Sequence, residues 1–162
     1  MLKKLLLLVV AGFFLASCAA TNTEQGGDVD AASSSTASGG DITAGTQEDL
    51  IVNVGDRVFF EFDSSELTVD AQATLDAQAA WMQQYPDTNI TIEGHADERG
   101  TREYNLALGE RRANAARDYL MTYGISGKRI SVISYGKEKP VNPKSSPLSW
   151  SQNRRSVTVK VN

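Results

Sequence analysis

The sequence is poor in the residues from which most chemical sites are built. Its 162 residues include one cysteine, Cys18, and one histidine, His95. A single thiol excludes an internal disulfide. One histidine is also a poor set for zinc, even with Asp97 and Glu98 close by in sequence. The nucleophile sets of peptidases are missing as well, because no serine motif is tied to His95. No cofactor is implied. Positive charge is short: sixteen Lys and Arg face twenty Asp and Glu, for a net charge of -4. That field has the wrong sign for nucleic acid, which is bound by releasing counterions onto a basic surface. A local basic group, Arg111, Arg112, Arg154 and Arg155, leaves room for a small anion. Internal repeats are absent. The one long apolar run, Leu5 to Leu15, is broken by Gly12 and is shorter than the roughly 20 residues a helix needs to cross a membrane.

That run has another meaning. Preceded by Lys3 and Lys4, it gives Met1 to Ser17 the layout of a secretory signal peptide. Without those residues the chain carries 14 basic against 20 acidic side chains, about -6. Cys18 follows directly. Leu15-Ala16-Ser17-Cys18 resembles the bacterial lipobox, in which the cysteine becomes the first mature residue and carries acyl chains, so Cys18 is the expected lipidation site. The second mature position holds Ala19, not the aspartate that retains such proteins at the inner membrane, which by that resemblance implies the outer membrane. From Ala19 to about Thr46 the chain is small and polar, with too little apolar surface to offset the entropy of ordering it. Such a tether of about 28 residues spans on the order of 30 Å as a coil and roughly 90 to 100 Å when taut. The expected organisation is a signal peptide over 1–17, an acylated, disordered tether over 18–48 and one folded domain over 49–162.

Within the domain, Arg57 to Phe62 is rich in strand formers and ends in the turn residues Asp63-Ser64-Ser65. Thr68 can cap a helix in which Ala71, Leu75, Ala79 and Met82 recur at helical spacing up to Pro86. Asn89 to Glu93 alternates as a strand and stops at Gly94. A second helix is expected over Tyr104 to Tyr123, with Gly124 as its stop. Ile130 to Tyr135 and Ser156 to Val161 alternate as two further strands. The proline-bearing stretch Lys137 to Ser151 reads as loop, with a helical turn near Trp150 to Arg154. The order β-α-β-α-β-β predicts an α+β fold, a two-layer α/β sandwich with helices packed on one face of the sheet.

The second helix carries an anomaly. On a helical wheel its buried stripe comprises Gly109, Ala113, Ala116, Tyr119, Leu120 and Tyr123, and Asn105 and Arg112 fall in the same sector. Arg111 lies among the polar residues. A guanidinium aimed into an apolar face is costly unless paired, so a carboxylate is expected close by. The best candidate is Asp97, in the loop just before the helix. Together, Asp97, Arg112 and Asn105 would offer an acceptor for an ammonium and a fork for a carboxylate, the complement of a free amino acid end. From these residues alone, a purely structural ion pair stays open.

Gly94-His95-Ala96-Asp97-Glu98-Arg99-Gly100-Thr101, Tyr104-Asn105-Leu106, Leu108-Gly109-Glu110-Arg111-Arg112-Ala113, Ser134-Tyr135-Gly136 and Asn153-Arg154-Arg155 resemble the OmpA C-terminal-like domain family over about residues 57–161. The alanine before Asp97 favours its lipoprotein branch over relatives with threonine there. The resemblance implies a mixed sheet with the last strand inserted. It also implies that Asp97 and Arg112 hold the meso-diaminopimelate of the peptidoglycan stem peptide, with Asp63, Asn105 and Leu108 lining the same pocket. The implied role is noncovalent anchoring of the outer membrane to peptidoglycan, without catalysis, within the Tol system that serves envelope integrity and constriction during division. Implied partners are the propeller protein TolB and other Tol proteins, with His95, Glu98, Arg99 and Tyr104 as the TolB contact. A wall hydrolase is the competing class, but only Glu93, Asp97 and Glu98 cluster as acids, and no aromatic sugar platform accompanies them.

Overall fold

The structure is a computed structural model that describes residues 42–161. The expected signal peptide, Cys18 and most of the expected tether lie outside the described residues. Among the described residues no helix is long and apolar enough to cross a membrane.

Strands β1 (Arg57–Phe59), β2 (Asn89–His95), β3 (Ile130–Gly136) and β4 (Arg155–Val161) form one sheet in the order β1-β4-β2-β3. The last strand is inserted, antiparallel to both β1 and β2, whereas β2 and β3 run parallel. A parallel pair needs a crossover, and α3 (Arg102–Thr122) supplies it. Helix α2 (Val69–Gln84) links β1 to β2. The core forms between these two helices and one face of the sheet. Ala71, Leu75, Ala79 and Met82 of α2 meet Val58 and Phe60, Ile90 and Ile92 of β2, and Ala113, Ala116 and Leu120 of α3. Burying side chains of this size contributes about 1.5 to 3 kcal/mol each for the larger ones.

Local chemistry sets the helix ends. The Thr68 hydroxyl accepts from the Ala71 N–H and that of Thr101 from the Tyr104 N–H. Gly124, at φ +80°, takes the left-handed turn after α3. A further cap, Ser146, with Pro147 in the first turn, starts α4 (Pro147–Asn153), so the turn expected near Trp150 begins earlier. Before β1, α1 (Gln47–Asp49) runs into a π-turn, Leu50–Val54. This segment packs into the domain. Leu50 is fully buried, the Asp49 carboxylate accepts from Trp81 Nε1 at 2.8 Å, and Lys160 N–H donates to Gln47 Oε1 at 2.6 Å.

Two members of the expected α3 stripe differ. Tyr119 is half-buried and Tyr123 is exposed. Both hydroxyls donate to Asp76 Oδ1 at the margin of α2, at 2.8 and 2.5 Å. A phenol with a polar tip settles where that tip stays wet, which a wheel of apolar positions does not register.

One contact positions everything that follows. A Cβ added to Gly94 would lie 1.8 Å from the Gly109 carbonyl oxygen. Two glycines thus let α3 lie directly on β2, backbone against backbone. That brings Asn105, Leu108 and Arg112 beside the loop leaving β2.

Candidate functional site

Three segments converge beyond the C-terminal end of β2: the loop Ala96–Thr101, the stretch Phe60–Ser64 after β1, and the C-terminal end of α4. Arg112 stands at their junction with no exposed surface. Contrary to expectation, an ion pair with Asp97 is not what satisfies it. Its Nε donates to the Ser64 carbonyl at 2.8 Å, Nη1 to the His95 carbonyl at 2.9 Å and Nη2 to the Glu61 carbonyl at 3.0 Å. Three backbone carbonyls from two loops do the work assigned to a carboxylate. Burial and the nearby Arg154 charge lower its pKa to about 10, opposed by Asp97 and Asp63, so Arg112 stays protonated at neutral pH. A guanidinium has five N–H groups. Three are spent on the loops, which leaves one on each terminal nitrogen.

Asp97 is buried and engaged elsewhere. It accepts from the Arg99 backbone N–H at 3.1 Å, from Arg99 Nε at 3.1 Å and from Arg99 Nη2 at 2.6 Å, and Arg154 Nη1 stands 3.5 Å away. Burial alone would push its carboxyl up, but the bonds from Arg99 and the Arg154 charge outweigh that and hold it below the usual range. Arg99 is itself clamped. Its guanidinium lies 4.0 Å from the centre of the Phe62 ring and 4.3 Å from that of Trp150. Trp150 Nε1 donates to Glu98 Oε1 at 2.8 Å. Lys137 Nζ donates to the Gly100 carbonyl at 2.7 Å, and Asn105 Nδ2 to the Arg99 carbonyl at 2.9 Å. The loop is therefore held from both sides.

These contacts enclose a hollow of about 170 Å3 lined by Phe62, Asp63, Asp97, Arg99, Gly100, Tyr104, Asn105, Leu108 and Arg112. All five residues expected to line a pocket, Asp97, Arg112, Asp63, Asn105 and Leu108, are in its wall. Asp63 sits at φ +55° and accepts from the Tyr104 hydroxyl. Larger clefts, of about 480 and 540 Å3, lie along β1 and between α3 and β3. Only the small hollow gathers buried charges of both signs, which is what recognition of a small zwitterion requires.

Of the residues expected to touch a partner protein, Glu98 and Tyr104 are exposed and Arg99 is turned inward onto Asp97. His95 is corrected outright. It is 1% exposed, on the far face of β2 against Tyr135, and presents nothing to a partner. Phe62, Trp150 and Arg154 escaped sequence reasoning as parts of the site. Arg154, which in the sequence is only one of a local basic group, has a side chain 13% exposed that braces both Asp97 and the Phe60 carbonyl. The adjacent pair Arg154-Arg155 at a strand start was its only visible signal.

The architecture and the hollow define a two-layer α/β domain with a buried ionic pocket at a strand–helix junction. Residues 59–154 match the OmpA family, and the chain belongs to it. It is 54% identical over 154 residues to the peptidoglycan-associated lipoprotein of Rhizobium meliloti (strain 1021), covering 95% of this chain and 85% of that one. The crystal structure of the peptidoglycan-associated lipoprotein from Burkholderia pseudomallei superposes with a TM-score of 0.64 at 42% identity, covering 65% of this chain and 90% of that one. The C-terminal domain of Helicobacter pylori MotB shares the fold, with a TM-score of 0.62 at 24% identity over 66% of this chain and 84% of that one.

Proposed function

We propose that this chain is a peptidoglycan-associated lipoprotein, anchored by acyl chains on Cys18 in the outer membrane, whose domain grips the meso-diaminopimelate of the stem peptide. The observation that carries this reading is the state of Arg112. It is buried, charged and braced by three carbonyls, with one N–H left on each terminal nitrogen to meet a ligand carboxylate in a bidentate fork. Asp97 and Asp63, on the other walls, supply acceptors for the ammonium of the same zwitterion. Binding without catalysis fits the acids. Asp97 is locked by Arg99, Glu98 is bonded to Trp150, and Glu93 lies beside His95 on the far face of the sheet. No two of them flank a sugar cleft as a glycosidase requires.

Placement in the Tol-Pal system follows from the same family reading. The exposed rim residues Phe62, Tyr104 and Glu98 offer TolB a surface around the mouth of the hollow, so TolB and peptidoglycan compete.

Sedimentation with purified sacculi tests the pocket. Asp97→Ala and Arg112→Ala abolish co-sedimentation, and Arg111→Ala leaves it largely intact. Removing Arg112 strands three carbonyls, so folding of each variant is checked by circular dichroism. Folded variants that still pellet with sacculi would refute the assignment. A stem peptide carrying lysine in place of diaminopimelate, which lacks the terminal carboxylate, binds far more weakly.

A further inference from the structure

β1 lies at the edge of the sheet, and its outer side forms the back of the cleft of about 480 Å3. Arg57, Phe59 and Glu61 run along that back, Thr68 and Thr74 of the α2 start form one side, and Gln152 stands on the other. The ladder fixes which backbone groups face it. Thr158 N–H donates to the Asp56 carbonyl at 2.6 Å and Phe60 N–H to the Arg154 carbonyl at 3.0 Å, and Val58 stands opposite Ser156. Residues 56, 58 and 60 are thus turned toward β4, and the N–H and C=O groups of Arg57 and Phe59 point the other way, into the cleft. Unpaired strand-edge groups are a template for another extended chain. The Phe59 side chain, 47% exposed, adds apolar surface beside them.

This cleft and the ionic hollow are consecutive along the chain. The segment that backs the cleft continues directly into Phe62 and Asp63 of the hollow's wall, and Arg154 lines the cleft while reaching Asp97. At strand rise, the three residues of β1 extend about 10 Å, the length of a tripeptide. We infer that this cleft is a second subsite for the same ligand, in which the peptide backbone flanking the bound diaminopimelate runs along β1 and hydrogen-bonds to the outward groups of Phe59 and Arg57. The inference rests on the proposed reading of the hollow. The rest of the ligand is the favoured occupant because its amides, once its zwitterionic end is held, lie at the cleft mouth at high effective concentration. An untethered chain has no such advantage.

Calorimetric titration of the detergent-solubilised full chain with two probes tests this, using free meso-diaminopimelate and the tetrapeptide L-Ala-γ-D-Glu-meso-diaminopimelyl-D-Ala. Two added backbone hydrogen bonds make the tetrapeptide bind about tenfold tighter than the amino acid. Phe59→Pro deletes one outward N–H while leaving the ladder to β4. Thr74→Trp fills the cleft from the α2 side and covers the case in which the proline variant does not fold. Phe59→Pro weakens the tetrapeptide by about threefold, Thr74→Trp brings it down to the amino acid's affinity, and neither changes the amino acid's own affinity. Equal affinities in the unmodified chain, or a tetrapeptide advantage that survives Thr74→Trp, overturn the second subsite. If neither probe binds the unmodified chain, the reading of the hollow itself fails and takes this inference with it.

Discussion

His95 makes the stability of this domain depend on acid in a way that can be worked out in advance. The imidazole is 1% exposed, and both its nitrogens are buried without a hydrogen-bond partner. Its Nε2 is 3.5 Å from Glu93 Oε2, but this is no ion pair at neutral pH. Burial, reinforced by the positive charges of Arg155 and Lys139, pushes the pKa from 6.5 down to about 4. Above pH 6.5 the ring is neutral in both folded and unfolded chains and titration costs nothing. Below it the unfolded chain takes up a proton that the folded chain refuses until about pH 4. Stability is therefore full above the unfolded value and lost as pH falls through that window, by about 3 kcal/mol. His95→Phe keeps a planar ring and removes the proton site. Urea unfolding from pH 7 to pH 4 gives the wild type a steeper loss than the variant, by about 3 kcal/mol over the interval. At pH 7 the variant is at least as stable, since two orphaned nitrogens disappear with the imidazole. Parallel pH profiles for the two proteins would show that His95 is not held neutral.

Gly94→Ala drives a methyl into the Gly109 carbonyl and forces α3 off β2, so a loss of about 3 kcal/mol or more is expected in thermal or urea denaturation. Because Arg112 moves with α3, sacculus binding falls with it. Trp150→Ala removes one face of the Arg99 clamp, worth about 0.5 to 1 kcal/mol at a site of this kind. The melting temperature then changes little while sacculus binding weakens severalfold, which separates the role of Trp150 in the pocket from one in the core.

The parts of the fold readable in advance are those with a period. Ala71, Leu75, Ala79 and Met82 announced a helix and its buried face, Thr68 its start, and all four apolar residues are in the core. The alternating runs from Asn89, Ile130 and Ser156 are strands. What escaped is what depends on chain from elsewhere. A wheel shows that Arg112 points inward but not that carbonyls of Glu61 and Ser64, some fifty residues earlier, wait to receive it. Charge logic therefore named a carboxylate. The segment from Gln47 through the π-turn is too short to show a period, and it is held by Trp81 and β4 from across the sequence. Arg99 was expected only as a partner contact, because its stacking between Phe62 and Trp150 is a tertiary fact. The family motif marks the pocket, within which carbonyls hold Arg112 and Arg99 holds Asp97.

Inserting β4 between β1 and β2 means that the final seven-residue strand Arg155–Val161 is the keystone of the sheet. In a chain delivered amino end first, β1 has no sheet neighbour and β2 has only β3 until Arg155–Val161 follows. The four-stranded sheet therefore closes only once β4 is in place, the slow, non-local kind of assembly. Arg154, immediately before that strand, arrives with it. A product lacking residues 151–162 would leave β1 unpaired and Asp97 without Arg154, and so would be a substrate for proteases.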